Sequence, residues 1–330
     1  MDGSMPLSIY RHISILKRFP HIQHISTLEK KQGQWIIFGR QIDAELLAQI
    51  QAYTSADFYV LDGWKVASQD VLLMSGYLDP SLAQVIHKFG IECASIEHLP
   101  DLSKPGLMVM DMDSTAIEIE CIDEIAELAG VGDAVREVTE RAMQGELDFE
   151  QSLRTRVAQL QGADESVLTQ VRDQLPLTQD LKALIQTLKA FGWKSVLASG
   201  GFTYFSSYVE ETVGFDESYA NELAINQGQL TGEVVGEIVS AQTKADILVT
   251  QADEWDIEPH NTIAVGDGAN DLIMMGAAGM GIAFHAKPKV AQQAQASIRY
   301  SSLVGVMCIL SASLVKQQRI SWQKKPVFNS

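Results

Sequence analysis

The sequence predicts an α/β protein: a doubly wound parallel sheet carrying a helical insertion, preceded by a small α+β unit. Three observations predict it. Short apolar runs without polar interruption, such as LMVM at 107–110 and TIAV at 262–265, alternate with helical stretches, as strands buried on both faces of a parallel sheet do. A long stretch of helical periodicity follows the first of these runs, far exceeding the dozen or so residues that a crossover between parallel strands needs. Ahead of it, the pattern reads β-α-β-β-α-β, the order of a ferredoxin-like sandwich.

Taken in order, residues 1–30 carry no clear pattern. WIIFGR (35–40) predicts a strand, and 43–53 a helix with Asp43 as its N-cap. FYVL (58–61) and VLLMSG (71–76) predict two strands, with Gly63-Trp64 in the turn region between them. A second helix over 79–90 is stopped by Gly90, and a last strand follows. The segment 99–106, with two prolines and a glycine, predicts a linker. The expected units are therefore 1–100 and 104–330. Past LMVM, helical patterns cover 121–130, 133–144, 148–160 and 165–175, and Asp148 with Gln151 resembles a capping box. A helix over 180–192 leads into the strand WKSVLA, and GIAF (281–284) predicts a further strand.

Composition narrows the function. Hydrophobic residues make up 46% and charged residues 20%, which predicts a folded chain rather than a disordered one. Cys93, Cys121 and Cys308 are scattered without CxxC spacing, which offers no zinc site and suits a reducing compartment. A net charge of −17 disfavours nucleic acid or an anionic membrane as partner. No apolar run approaches the ~20 residues of a membrane span, and the first residues do not read as a signal peptide. A cytoplasmic location is expected.

Four clusters carry chemistry. Asp111 and Asp113 stand two residues apart just after LMVM, where two carboxylates can share one cleft as nucleophile and general acid. Ser199-Gly200-Gly201 follows VLA, where glycines let main-chain N–H groups approach a phosphate. Lys244 can neutralise a phosphoryl oxygen. Gly266-Asp267-Gly268-Ala269-Asn270-Asp271 follows TIAV; Asp267 can join Asp111 in a Mg²⁺ site, with Asp271 orienting Lys244 behind it. Singly, each also fits an ordinary turn or a solvated side chain. Together they describe a device for bringing a carboxylate anion onto a phosphate dianion.

In this order, DMDST, SGG, the downstream lysine and GDGAND resemble the four signature motifs of the haloacid dehalogenase-like phosphohydrolases. The wider text MDMDSTAIEIECIDEIAE, EVTERAMQGELDFEQSLRTRV and FHAKPKV resembles the phosphoserine phosphatase family within them. The resemblance implies a Rossmannoid core with a helical cap at about 120–182, and an N-terminal domain of ACT-like type, as in bacterial members. It implies hydrolysis of O-phospho-L-serine to L-serine, the last step of serine biosynthesis. Asp111 would be the nucleophile and Asp113 the general acid and base, with Mg²⁺ on Asp111, Asp267 and the carbonyl of Asp113. Ser199, Gly200, Lys244 and Asn270 would contact the phosphoryl group or its surroundings. Glu120 would take the substrate ammonium and Arg156 its carboxylate, under Met143 and Phe149. The resemblance allows a homodimer. Action on another small phosphomonoester, or a phospho-accepting receiver module, are the competing readings; receivers are small and lack the insertion.

Overall fold

The computed structural model describes residues 5–323; the outer ends of the two expected units, 1–4 and 324–330, lie outside the described residues. Two sheets form. The first is antiparallel, built from β1 (Ile9–Tyr10), β2 (Trp35–Gly39), β3 (Val60–Val66), β4 (Gln69–Met74) and β5 (Glu92–Ser95) in the order β1-β3-β4-β2-β5. Helices Ala44–Thr54 and Pro80–Lys88 connect β2 to β3 and β4 to β5, with β1 added at the edge. Asp43 caps the first helix by accepting from Leu46 N, and Asp79 caps the second through Ser81 N and Leu82 N.

Gly63-Trp64 does not form the expected turn but lies inside β3. A Cβ on Gly63 would meet Ile15 at 2.6 Å, and Trp64 is fully buried with its Nε1 donating to Ser311 Oγ at 2.8 Å. Burial of an indole with its N–H satisfied outweighs the local turn preference of Gly-Trp. The chain reverses further on, at Ala67, whose φ is 49°.

The second sheet comprises β6 (Leu107–Met110), β7 (Lys194–Phe202), β8 (Glu217–Asn226), β9 (Gln229–Val235), β10 (Thr262–Gly266), β11 (Met280–Phe284) and β12 (Ala296–Ile298). Its order is β12-β11-β10-β6-β7-β8-β9, parallel except where β9 pairs antiparallel with β8. From β6 the chain builds outward through β7, then returns to lay β10 on the other side of β6. That reversal is a topological switch point, and a crevice opens beyond the carboxyl ends of β6, β7 and β10.

Helices Cys121–Leu128, Gly132–Met143, Phe149–Gln159 and Ser166–Arg172 stand between β6 and β7. The two connections to this insertion bind each other: Glu118 N donates to Pro176 O at 2.9 Å and Thr178 N to Ala116 O at 3.0 Å. The β8–β9 hairpin supports its far end, accepting Gly162 N at Leu230 O (2.8 Å) and Glu165 N at Gly228 O (2.9 Å).

Segment 99–106 is less free than a linker. Leu102 is fully buried with its N–H on Ser313 Oγ at 3.1 Å, and Asn261 Nδ2 donates to Pro105 O at 2.6 Å. Helix Val304–Lys316 is buried along almost its whole length, and one apolar core runs from Ile36, Trp64 and Leu73 of the first sheet to Met108 and Ile309. Among the described residues, no helix is long and apolar enough to cross a membrane.

Candidate active site

Asp111 follows β6 directly, its N–H held by Val265 O of β10 at 2.9 Å. Its own Oδ1 accepts Met112 N at 2.8 Å. The chain then makes an irregular turn over Met112–Ala116, with Ser114 in the left-handed region at φ 56°. Strain of this kind in a non-glycine residue persists where surrounding contacts hold it. Ser114 Oγ donates to Glu120 Oε1 at 2.7 Å, and Thr115 Oγ1 donates to Asp267 Oδ1 at 3.2 Å. The turn therefore carries Asp113 into the crevice while tying Glu120 and Asp267 to its rim. Asp113 Oδ1 accepts Cys121 N, the first N–H of the insertion's first helix, at 3.0 Å.

Lys244, from helix Ala241–Glu254, is 1% exposed and reaches two carboxylates, Asp111 Oδ1 at 2.7 Å and Asp271 Oδ1 at 2.8 Å. Asp271 is fully buried and also accepts Gly268 N on its second oxygen at 3.0 Å. Burial works against the Lys244 charge, but the two carboxylates outweigh it and raise the ammonium's pKa. A Cβ on Gly266 would sit 2.4 Å from Asp271 Cγ, so a side chain there would displace the carboxylate that fixes the lysine.

The glycines after Ser199 serve neighbouring side chains as much as any anion. A Cβ on Gly201 would meet Asp113 Oδ2 at 2.5 Å, and one on Gly200 would meet the Phe149 ring at 2.8 Å. Ser199 is buried, and its Oγ accepts Gly201 N at 2.9 Å.

One cavity of about 280 Å³ gathers Asp111, Asp113, Glu120, Phe149, Arg156, Gly200 and Asn270. Ser199 and Lys244 are buried beside its lining, Ser199 next to Gly200 and Lys244 bonded to Asp111, and Asp267 lines the neighbouring cavity. Met143 is not brought in: it ends its helix with its side chain 71% exposed, just before the turn at Gly145. Sequence reading passed over Ser114 and Thr115 as individual residues, although both stand in DMDST. It also missed Asn221 of β8, whose Nδ2 donates to Gly200 O at 2.8 Å while its Oδ1 accepts Val239 N at 2.8 Å. Nothing local to Asn221 could have pointed to Gly200.

The electrostatics are those of crowded, dry carboxylates. Burial, and then the charge of Asp271, push Asp111 well above the usual carboxylate range, with Lys244 opposing. Burial also raises Asp113. Glu120 is pushed up to about 7, by burial and then by Asp113, and Asp267 to about 6, by burial and then by Asp271. Burial lowers the pKa of Arg156, while Asp123 and Glu120 hold its charge. Its Nε is buried with no hydrogen-bond partner among the described residues. Leaving such a donor unmet costs about 1–3 kcal/mol, which an incoming acceptor would recover.

Oxygens of Asp111, Asp267 and Asp271 lie within 4.8 Å of one another. An all-oxygen, acidic donor set fits a hard divalent cation such as Mg²⁺. Both oxygens of Asp271 are engaged, by Lys244 and by Gly268 N, whereas the side-chain bonds of Asp111 and Asp267 fall on Oδ1 and leave Oδ2 to face an ion.

Comparison with known proteins gives two matched families. Residues 106–279 match haloacid dehalogenase-like hydrolase, and residues 31–95 match a domain of unknown function, DUF5609. The phosphoserine phosphatase of Vibrio cholerae serotype O1 is 54% identical over 326 residues, 99% of either chain. A crystal structure described as a probable phosphoserine phosphatase from Vibrio cholerae, in unliganded form, superposes with a TM-score of 0.89 over 97% of this chain and 99% of that one. A structure described as a phospho-aspartyl intermediate analogue of phosphoserine phosphatase matches at 38% identity and a TM-score of 0.59, covering 62% of this chain and 98% of its own.

Proposed function

The chain belongs to the phosphoserine phosphatases of the haloacid dehalogenase-like hydrolases, and from that membership we propose that it hydrolyses O-phospho-L-serine with Asp111 as nucleophile. One observation carries the reading. The cavity that holds the Asp111–Asp113 pair also holds Glu120 and an Arg156 whose Nε has no partner. A phosphomonoester bearing an ammonium and a carboxylate complements that set, since arginine matches a carboxylate's geometry.

Asp111, fixed by Lys244 and Met112 N, attacks phosphorus in line with the departing serine oxygen. Asp113, whose pKa burial raises, gives its proton to that oxygen as the bond breaks, then takes one from the water that hydrolyses the acyl phosphate. Lys244 and Ser199 hold the phosphoryl oxygens, and Asn270 borders them. Asp111, Asp267 and the main-chain carbonyl of Asp113 would hold Mg²⁺, with Asp271 behind them. When bound, the ion offsets the repulsion between carboxylate and phosphate. Phe149 of the insertion covers the site and Met143 joins it on closure, so that units 1–100 and 104–330, with a cap at about 120–182, form the working division. A cytoplasmic location and a small-molecule substrate accord with the charge balance; a homodimer is part of the same reading. Phosphate release from O-phospho-L-serine, beside phosphothreonine, a sugar phosphate and an aryl phosphate, tests it. A strong preference for phosphoserine supports the Glu120–Arg156 assignment, and activity on the aryl phosphate alone sinks it.

Two further results are expected. Glu120 binds the ammonium only when ionised, and its pKa lies at about 7. KM for phosphoserine should therefore rise as pH falls through 7, by roughly tenfold per pH unit well below that point. Glu120→Gln should flatten this dependence at a uniformly high KM; an unchanged slope in the variant would remove Glu120 from the role.

The second concerns stability. A carboxylate whose folded pKa is raised favours the fold fully below its unfolded pKa, and that contribution is lost as pH rises through the folded value. For Asp267 the window runs from about 4 up to about 6. Metal-free protein should lose stability across it, and Mg²⁺ should restore it where the carboxylates are ionised. Saturating Mg²⁺ is expected to raise Tm by several degrees, on the order of 2–3 kcal/mol, at pH 7.5 and by much less at pH 5. Equal shifts at both pH values would place the ion elsewhere.

A further inference from the structure

Besides the Trp64–Ser311 bond and the shared apolar core, the first sheet holds the catalytic half of the chain through a buried carboxylate. Glu92 of β5 is 1% exposed, and its Oε1 accepts the main-chain N–H groups of Arg299, Tyr300 and Ser301 at 2.9, 2.6 and 2.9 Å. Three main-chain donors thus converge on one oxygen, while Oε2 is buried with no hydrogen-bond partner among the described residues. The segment held in this way has further attachments. His285 Nε2 donates to Ser301 O at 2.9 Å, Ser302 Oγ donates to Asp180 Oδ2 at 2.5 Å, and Leu303 N donates to Gln179 O at 3.3 Å.

Gln179 and Asp180 come directly after Thr178, whose N–H binds Ala116 O where the two connections to the helical insertion meet. Asp180 itself stands in the left-handed region at φ 68°, a conformation that needs holding. Contacts thus run without a break from β5, through 299–303, to the base of the insertion that carries Phe149 and Arg156. His285, Tyr300 and Ser302 also line a cavity of about 530 Å³ with Ser114, Thr178 and Asp267, beside the catalytic turn.

We propose that Glu92 is a positioning residue which, through the 299–303 segment, fixes the hinge of the helical insertion and so sets how readily Arg156 closes on substrate. The proposal rests on the phosphoserine reading for its kinetic part and gives the DUF5609 region a mechanical role. Without the carboxylate, three main-chain N–H groups, buried at Ser301 and part-buried at Arg299 and Tyr300, lose their acceptor and the segment must rearrange to find water. The Ser302–Asp180 contact then loosens, and the paired connections no longer hold one hinge angle. If the closed form becomes a minor population, apparent affinity falls by that fraction while chemistry after closure is unchanged.

The test uses full-length Glu92→Leu and Glu92→Gln. The leucine variant is expected to raise KM for O-phospho-L-serine about tenfold with kcat changed less than about twofold, the pattern of a population shift. The glutamine variant keeps an oxygen for the three donors and should restore KM. Amide exchange over 176–180 should quicken in the leucine variant and not in the glutamine one. This readout needs no turnover, so it stands or falls apart from the substrate assignment. Unchanged KM and exchange in folded Glu92→Leu, or kcat lost with KM unchanged, would overturn the proposal and leave Glu92 a purely structural residue. Should Glu92→Leu not fold, Ser302→Ala removes the Ser302–Asp180 bond, leaving Leu303 N on Gln179 O, and must still raise KM severalfold; an unchanged KM there also overturns it.

Discussion

Asp111→Asn is expected to lower kcat by on the order of 10⁴-fold or more, because removing a covalent nucleophile leaves only binding and electrostatics to act. The fold should survive. Asparagine has the same shape, retains an oxygen for Met112 N, and ends the repulsion between two buried carboxylates that pushes Asp111 up in the native protein. Phosphoserine should bind at least as tightly as in the native enzyme, since the anion that repels its phosphate is gone. The expected variant is folded, substrate-binding and inert. Near-native turnover would remove Asp111 from the nucleophile's place.

Lys244→Met should damage both stability and rate. The native ammonium is shared between Asp111 and Asp271, and all three groups are almost wholly buried. Truncating it strands two carboxylates without a counter-ion, and breaking a buried pair costs about 3–5 kcal/mol. At about 2–4 °C per kcal/mol for a chain of a few hundred residues, Tm should fall on the order of 10 °C at pH 7.5. The loss should shrink as pH falls, because burial already pushes Asp111 well above the usual carboxylate range and its protonation discharges one of the stranded groups, and Mg²⁺ should recover part of it. Loss of positive charge at the phosphoryl site should lower kcat by a further ~10²–10³-fold, the scale for a removed transition-state donor. Thermal unfolding at pH 7.5 and at lower pH, with a steady-state assay, checks both halves; a Tm unchanged at pH 7.5 would contradict the buried ion network.

Much of the site was legible because catalysis demands particular side chains at strand ends. Asp111, Asp113, Ser199 and Asp267 follow or end apolar runs that could be read directly, and Lys244 and Asp271 completed a pattern whose electrostatic purpose was plain. Glu120 and Arg156, which line the cavity, were singled out only through resemblance, since nothing in a lone acid or an RTR triplet announces a ligand. Met143 came by the same route, and in this structure it is exposed at the end of its helix. What stayed hidden was tertiary. Gly63-Trp64 looked like a turn because its partners, Ile15 and Ser311, are far away in sequence. The β8–β9 hairpin turns at Gln227 and Gly228, both at positive φ, without the Asn-Gly or Asp-Gly pair that usually marks such a turn. Segment 99–106 had a linker's composition, but Leu102 and Asn261 pin it to the core. Glu92 was one more acid in a strand until three N–H groups from 299–301 were seen to converge on it.

The central claim is that Asp111 carries the phosphoryl group. Native enzyme should be mixed with O-phospho-L-serine labelled in its phosphate and quenched in acid within milliseconds, and its peptides mapped. The account predicts label on the peptide containing Asp111, removed by hydroxylamine as an acyl phosphate must be, and absent from Asp111→Asn. Phosphate release from the native enzyme with label on another residue, or full activity in Asp111→Asn, would contradict it.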